Sequence, residues 1–342
     1  MTSNLLNRQV AFAARPDGEP TAETFFIREV PVTALESGQI LCRNLMVSVD
    51  PYLRLKMYDR ESYTPPLEFG ETIPGRSVAQ VVESAAPEFK AGDLVAIQGG
   101  WQEYEIVKAR HAERVDPALA NPVSWLGALG MTGFTAYGGL LSVGQPKEGE
   151  TVVVSAAAGA VGLLVGQVAR QVGCRVVGIA GGSEKCARVV SEFGFDACVD
   201  YRAADFEQQL TEATPEGVDV YFDNVGGEIA AAVTRRLNTF ARVAICGLIS
   251  QYNGQSDSDP KAMEEYLRWI LVRRLTIRGF IVYDLHKNHP EFTEVMSGWL
   301  REGKVREVFQ RYDGFEQIVP AFLGMLSGKN FGKSIVRIAE PS

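Results

Sequence analysis

Thr151-Val152-Val153-Val154-Ser155-Ala156-Ala157-Ala158-Gly159-Ala160-Val161-Gly162 decides the fold. The β-branched run that opens it favours an extended strand, and Leu163 to Gln171 beyond it carries a helical pattern. Small residues between the two let a backbone approach a ligand, and the N–H groups that open the helix point at it. A strand, a small-residue turn and a helix in that order make a cradle for a dinucleotide pyrophosphate. The turn departs from G-x-G-x-x-G, with Ala157 where the first glycine would stand. It gains weight from the residues downstream.

Beyond the turn, strands and helices alternate. Arg175–Ala180, Ala197–Tyr201, Val218–Asp223, Arg242–Cys246 and Leu275–Val282 read as strands. Glu184–Phe193, Phe206–Thr214, Glu228–Asn238, Met263–Arg273 and Phe292–Leu300 read as helices between and after them. Short links of this kind imply a parallel sheet with helices on both faces, an α/β doubly wound (Rossmann) domain. The preceding residues differ in texture. Pro31, Pro51, Pro65, Pro66, Pro74 and Pro87 interrupt short strand-like runs at Ile40–Val47, Ser77–Ser84, Asp93–Ile97 and Glu103–Val107. Near the end, Phe309–Tyr312 and Ser334–Ile338 read as strands around a helix at Ile318–Leu326. The expected organisation is therefore a Rossmann domain of residues 127–305 inserted into a smaller β-rich domain of residues 1–126 and 306–342. A groove between two such domains is a common place for a small-molecule site.

The second strand of the α/β part ends in Ala180-Gly181-Gly182-Ser183-Glu184-Lys185. NAD-binding domains usually carry an acid about 20 residues beyond the glycine turn, where it holds the ribose 2′-hydroxyl. Here the tip is small and uncharged, which leaves space for a 2′-phosphate. Lys185 can neutralise that phosphate, with the Tyr201 hydroxyl on the other side; the alternative makes Lys185 a solvated surface lysine, and Arg202 is either an extra phosphate partner or points to solvent. Glu184, just inside a helix start, suits the macrodipole without touching ribose. NADP is favoured over NAD.

Seven stretches, spread in order over almost the whole chain, carry a resemblance. They are Ser48–Arg54, Gly130–Tyr137, Ala156–Gly162, Glu184-Lys185, Asp223–Glu228, Cys246–Asn253 and Gly328–Lys333. In these the chain resembles a zinc-independent medium-chain dehydrogenase/reductase of the prostaglandin/leukotriene reductase group, which includes curcumin-reductase-like and alkenal double-bond reductase proteins. The resemblance implies a GroES-like fold for the β-rich domain and NADPH as cofactor. It implies pyrophosphate contacts at Gly159, Ala160, Val161 and Gly162, and 2′-phosphate contacts at Ser183, Lys185 and Tyr201. Asn224 and the run Cys246, Gly247, Leu248, Ile249 and Ser250 would border the ribose and nicotinamide. Met131, Thr135, Phe280, Ile281 and Val282 would lie on the nicotinamide side, with Asn330 returning from the last segment. Tyr252 would face the substrate carbonyl, and Tyr52 would line the substrate pocket or close the β-rich core.

The residues imply no metal. Zinc-dependent relatives use a Gly-His-Glu turn together with cysteines, and often four closely spaced cysteines besides. Here the comparable turn reads Gly75-Arg76-Ser77, the five cysteines form no C-x-x-C, and His111, His286 and His289 lie near no cysteine cluster. Cys174, Cys186 and Cys198 recur every 12 residues, a spacing read as coincidence with the strand–helix repeat. Charge that develops on an oxygen then falls to hydrogen-bond donors. Tyr252 is the best of these, since a phenol of pKa about 10 stays protonated at neutral pH.

Three readings of function stand. The first is NADPH-dependent hydride transfer to the β-carbon of an α,β-unsaturated ketone or aldehyde. The others are NADPH-dependent quinone reduction and non-catalytic NADPH binding. The substrate's size is open, since it rests on the Tyr58–Phe69 and Asn253–Glu265 loops. A net charge of −8 argues against a general nucleic-acid or anionic-membrane surface. The sequence shows neither a signal-peptide core in Met1–Val10 nor an apolar run long enough to span a bilayer. Unpaired-looking cysteines suit a reducing cytoplasm. Leu275–Val282 would end the sheet, and an open edge invites pairing with a second copy, so a homodimer is expected.

Overall fold

The computed structural model describes residues 5–254 and 260–341. Residues 255–259 of the Asn253–Glu265 loop lie outside the described residues, as does the side chain of His286. The chain divides into two compact units, one of residues 1–127 and 309–342, the other of residues 128–308.

The first unit opens with an antiparallel pair, β1 (Leu6–Phe12) and β2 (Phe25–Pro31). The sequence reading missed both. Charged Arg8, Arg28 and Glu29 interrupt their apolar pattern, and a 12-residue connection, Ala13 to Thr24, replaces a recognisable tight turn. Then come β3 (Gln39–Ser48), β4 (Ser77–Ser84), β5 (Leu94–Ile97), β6 (Tyr104–Lys108) and the short β7 (Glu113–Arg114). These join in antiparallel register through β3, which pairs with both β4 and β6.

The second unit begins with α1 (Met131–Gly138), which continues as a π-helical turn through Gly144. Strands and helices then alternate: β8 (Thr151–Ser155), α2 (Ala160–Val172), β9 (Arg175–Ala180), α3 (Ser183–Phe193), β10 (Ala197–Asp200) and α4 (Phe206–Ala213). The second half runs β11 (Val218–Asp223), α5 (Gly227–Thr234), β12 (Leu237–Ile245), α6 (Pro260–Arg273), β13 (Thr276–Gly279) and α7 (His289–Arg301). All six strands are parallel, in the order β10-β9-β8-β11-β12-β13. This is the doubly wound Rossmann sheet expected from the alternation. The chain leaves β8 in one direction and returns to its other side at β11, which makes that junction the topological switch point.

Boundaries shift by up to three residues at several helix ends, and two regions differ more from the sequence reading. The helix expected over Glu228–Asn238 ends at Thr234, and β12 starts at Leu237. Leu237-Asn238-Thr239-Phe240 joins the sheet, with Phe240 in the left-handed region (φ 66°) marking an irregular register. The strand expected over Leu275–Val282 stops at Gly279, and a 3₁₀ turn begins at Val282.

The last segment supplies β14 (Phe309–Asp313), α8 (Ile318–Leu326) and β15 (Lys333–Arg337). β15 pairs antiparallel with β3, so the returning chain completes a seven-stranded sheet in the first unit. α8 buries Ile318, Ala321, Phe322 and Met325 against Trp101, Leu53 and Val47, forming one continuous core. Among the described residues no helix is long and apolar enough to cross a membrane.

Candidate functional site

In the second unit Gly159 to Gly162, Asn224 and Cys246 to Ser250 follow the carboxyl ends of β8, β11 and β12. Ala156 comes directly after β8 with φ 50°, left-handed backbone that an alanine adopts only under constraint. That twist turns the chain into α2, whose first turn holds Ala160, Val161 and Gly162 behind Gly159 at its N-cap. A Cβ on Gly162 would lie 2.3 Å from the Ala156 carbonyl oxygen, so only glycine fits this third position. No side chain caps the helix, so its first N–H groups stay available to an anion.

Asp223 organises the switch point. Its Oδ1 accepts hydrogen bonds from the Ser155 hydroxyl at 3.0 Å, the Tyr221 hydroxyl at 2.8 Å, and the Val225 and Gly226 N–H groups at 2.9 Å. Its carbonyl accepts from the Cys246 and Gly247 N–H groups. One buried residue therefore ties β8 and β11 together through its carboxylate and the loop after β12 through its carbonyl. The sequence reading included Asp223 in a motif but gave it no role. Asn224 turns its amide inward and donates to the Ser155 carbonyl at 2.8 Å. The loop from Cys246 to Ser250 is stitched to the same junction by Ile249 N–H to Asn224 and the Ser250 hydroxyl to Val225.

Tyr252 closes this loop. Its phenol folds back over the strand end, and a Cβ on Gly247 would come within 3.4 Å of the Tyr252 hydroxyl. The hydroxyl thus stands beside Gly247, just past the carboxyl end of β12. Burial pushes the Cys246 thiol up to about 12, so it stays protonated. On α1, Met131 and Thr135 are the half-buried residues among mostly buried ones, one turn apart on one face. Thr135 donates back to the Met131 carbonyl at 2.7 Å. The Phe280 ring is buried against Phe222 and fills the space above Gly139. The ring thus packs into the core, and Ile281 and Val282 are half-buried beside it.

A second cluster lies at the carboxyl ends of β9 and β10. Gly181 is covered by Tyr201 and Arg202, which a Cβ there would meet at 2.9 Å. Ser183 begins α3 and is exposed, and Lys185 is half-buried one turn in. Burial first, and the nearby Arg202 cation second, hold the Lys185 ammonium below its usual range. Lys185, Arg202, the Tyr201 phenol and Gly181 thus gather at the carboxyl ends of β9 and β10. The sequence reading preferred Lys185 and Tyr201 and left Arg202 free to face solvent; the fold brings Arg202 into the cluster.

In the first unit, Tyr52 lies in the 3₁₀ turn Pro51–Met57 and packs, half-buried, against the core. Arg54 is fully buried and donates to the Gly18 carbonyl and the Tyr58 hydroxyl, which makes it a structural residue. Asn330 donates to the Gly332 carbonyl at 2.9 Å. Three residues on, the Lys333 ammonium lies 2.8 Å from the Asp50 carboxylate and 2.8 Å from the Val49 carbonyl. This buried ion pair pins the Tyr52 segment to the Asn330 segment. Among the described residues no group of three His, Cys, Asp or Glu side chains is arranged to hold a metal ion.

Residues 8–115 match the family model described as an N-terminal domain of oxidoreductase, and residues 160–300 match the one described as zinc-binding dehydrogenase. The chain is 44% identical over 335 residues to the NADPH-dependent curcumin reductase of Escherichia coli, covering 97% of each. It is 37% identical to the NADP(+)-dependent 2-alkenal reductase of Nicotiana tabacum, covering 99% of this chain and 100% of that one. The crystal structure of CurA from Vibrio vulnificus in complex with NADPH superposes with a TM-score of 0.93 at 43% identity, covering 98% of this chain and all of the other. The chain belongs to the medium-chain dehydrogenase/reductase family, in its group of prostaglandin, curcumin and alkenal reductases.

Proposed function

We propose that this protein is an NADPH-dependent oxidoreductase that reduces the activated carbon–carbon double bond of α,β-unsaturated ketones or aldehydes. The observation that carries the reading is the Tyr252 hydroxyl beside Gly247, at the strand ends where this fold takes its nucleotide. The named activities of the curcumin and alkenal reductases support it.

The residues fit the cofactor. The uncapped start of α2, with Gly159, Ala160, Val161 and Gly162, would hold the pyrophosphate, and Ser183, Lys185, Tyr201 and Arg202 the 2′-phosphate. Asn224 and Cys246 to Ser250 would border the ribose, and Met131, Thr135 and the Phe280–Val282 backbone the nicotinamide. Asn330 is assigned to the cofactor and Tyr52 to the substrate from the first unit. NADPH, when bound, supplies the hydride that adds to the substrate's β-carbon. Tyr252 donates a hydrogen bond to the carbonyl oxygen as that oxygen becomes anionic, and can pass a proton toward the α-carbon. Cys246, held as the neutral thiol, resists addition to the electrophilic substrate beside it.

Mixing the protein with NADPH and either an enone, a quinone or no acceptor tests the reaction. Cofactor absorbance should fall with the enone, and the product should be the saturated ketone; oxidation driven by the quinone alone refutes the reading. Lys185→Ala is expected to raise the NADPH KM about tenfold, the worth of one hydrogen bond to a charged group, and to leave the NADH KM nearly unchanged. Equal effects on both cofactors remove the 2′-phosphate from this cluster.

We further propose a homodimer through the second unit, working in the reducing cytoplasm. β13 ends the parallel sheet, and α6 exposes Met263, Leu267 and Leu271 at helical spacing. Such a stripe favours cover by a second copy. Light scattering at micromolar concentration should give twice the chain mass, and Leu267→Glu with Leu271→Glu should return it to one chain. A native protein that already scatters as a monomer rules the dimer out.

A further inference from the structure

Cys186 and Cys198 belong to the 12-residue cysteine spacing that the nucleotide site does not use. The strand–helix repeat brings this pair together. On β9, Gly178 and Ala180 are two residues apart and so share a face. The Cys198 sulfur lies over Gly178, 3.2 Å from where its Cβ would be, and the Cys186 sulfur contacts the Ala180 carbonyl at 4.0 Å. Both sulfurs lie against this strand, and each thiol shifts the titration of the other. A side chain at residue 178 would fill the space that admits the Cys198 sulfur.

The pair sits beneath the Lys185 cluster. Cys186 is the next residue after Lys185 in the first turn of α3, and Cys198 lies on β10 three residues before Tyr201. Asp200 Oδ1 accepts from the Gly182 N–H at 2.8 Å and from the Arg202 N–H at 3.0 Å, which couples the start of α3 to the end of β10. Cys186 is buried and Cys198 half-buried, so the pair opens toward solvent on the Cys198 side, with the more readily ionised Cys186 thiol behind it. Loss of one proton leaves a thiolate that the remaining S–H stabilises, which holds Cys186 below its usual range and Cys198 above it.

We propose that Cys186 and Cys198 are a site of oxidative modification, where a hydroperoxide closes a disulfide that weakens NADPH binding. One thiolate attacks the peroxide oxygen, breaks the O–O bond, becomes a sulfenic acid and releases an alkoxide or hydroxide. The second thiol then attacks the sulfenic sulfur, forms the S–S bond and expels water. The peroxide is reduced and the two cysteines are oxidised. Bond formation draws the sulfurs to about 2.05 Å, which pulls the first turn of α3 toward β10 and displaces Lys185 relative to Tyr201 and Arg202. The inference rests on the reading of that cluster as the 2′-phosphate site.

The test treats the full-length protein with hydrogen peroxide and follows two readouts. Mass spectrometry of the alkylated, digested protein should show one cross-linked species joining the Cys186 and Cys198 peptides, two hydrogens lighter than their sum. Its formation should raise the NADPH KM about tenfold, as expected for loss of one charge-assisted contact, with the NADH KM unchanged and dithiothreitol restoring both. Cys198→Ser and, separately, Cys186→Ala should give no cross-link and no change in KM under the same treatment. Free thiols after treatment, or a cross-linked protein with an unaltered NADPH KM, overturn the proposal. Lys185→Ala in the reduced protein separates the failures: if it too leaves the NADPH KM unchanged, the error lies in the phosphate site and not in the thiol pair.

Discussion

Lys333→Met is expected to destabilise the unit of residues 1–127 and 309–342 by about 3–5 kcal/mol, because it strands a buried carboxylate. Lys333 and Asp50 are each only 5% exposed, so water cannot take over from either partner. The ammonium serves Asp50 Oδ1 and the Val49 carbonyl at once, while the Ser48 hydroxyl donates to Asp50 Oδ2. Taking the lysine away leaves the carboxylate with the Ser48 hydroxyl in place of a cation, and leaves the Val49 carbonyl without the ammonium. For a unit of this size the melting midpoint moves about 2–4 °C per kcal/mol, so calorimetry should show a fall of roughly 6–20 °C. A salt bridge on the surface, such as Arg337 with Asp313, is worth far less when broken, at about 1 kcal/mol or below. Asp50→Asn made in the Lys333→Met background should restore part of the loss, since it removes the uncompensated charge. A midpoint unmoved in Lys333→Met, or lowered further by the second change, contradicts this account.

That ion pair also marks what one sequence can reveal. β8, the turn and α2 are legible because a β-branched run and a helical period lie side by side, and each is local. The Asp50–Lys333 contact spans 283 positions, and no periodicity encodes it. The motifs around both residues stand out in the sequence; the bond joining them does not. Asp223 is similar, since its partners Ser155 and Gly226 meet only when β8 and β11 align. The boundary after α5 is misread for a different reason. Arg235-Arg236-Leu237-Asn238 continues a plausible helical pattern, and pairing of β12 with β11 and β13 overrides that preference. The resemblance implies Phe280 as a cofactor contact, and the fold adds that its ring fills the gap above Gly139, which no local pattern encodes.

Tyr252→Phe is expected to cut enone turnover at least tenfold, and toward the roughly 10²–10³ that loss of one oxyanion donor costs, while NADPH binding stays nearly intact. The change removes one oxygen and keeps the ring, so the packing of the loop against Gly247 survives. The loop itself is held by backbone bonds from Cys246, Gly247 and Ile249 to Asp223 and Asn224, none of which uses the phenol. The deficit should therefore appear in kcat, where the carbonyl oxygen carries most charge, with KM for both substrate and cofactor changing little. A donor that only packed or only bound the ground state would instead raise KM and leave kcat alone. Substrates with a more electron-poor double bond need less help at the oxygen, so the ratio of wild-type to variant kcat should shrink across such a series. A quinone, which accepts charge readily, should show the smallest ratio. If every acceptor lost rate equally, Tyr252 would be acting through the nucleotide and not on the substrate oxygen. Steady-state kinetics on three enones of graded reactivity, with cofactor affinity measured by fluorescence titration, separates these outcomes.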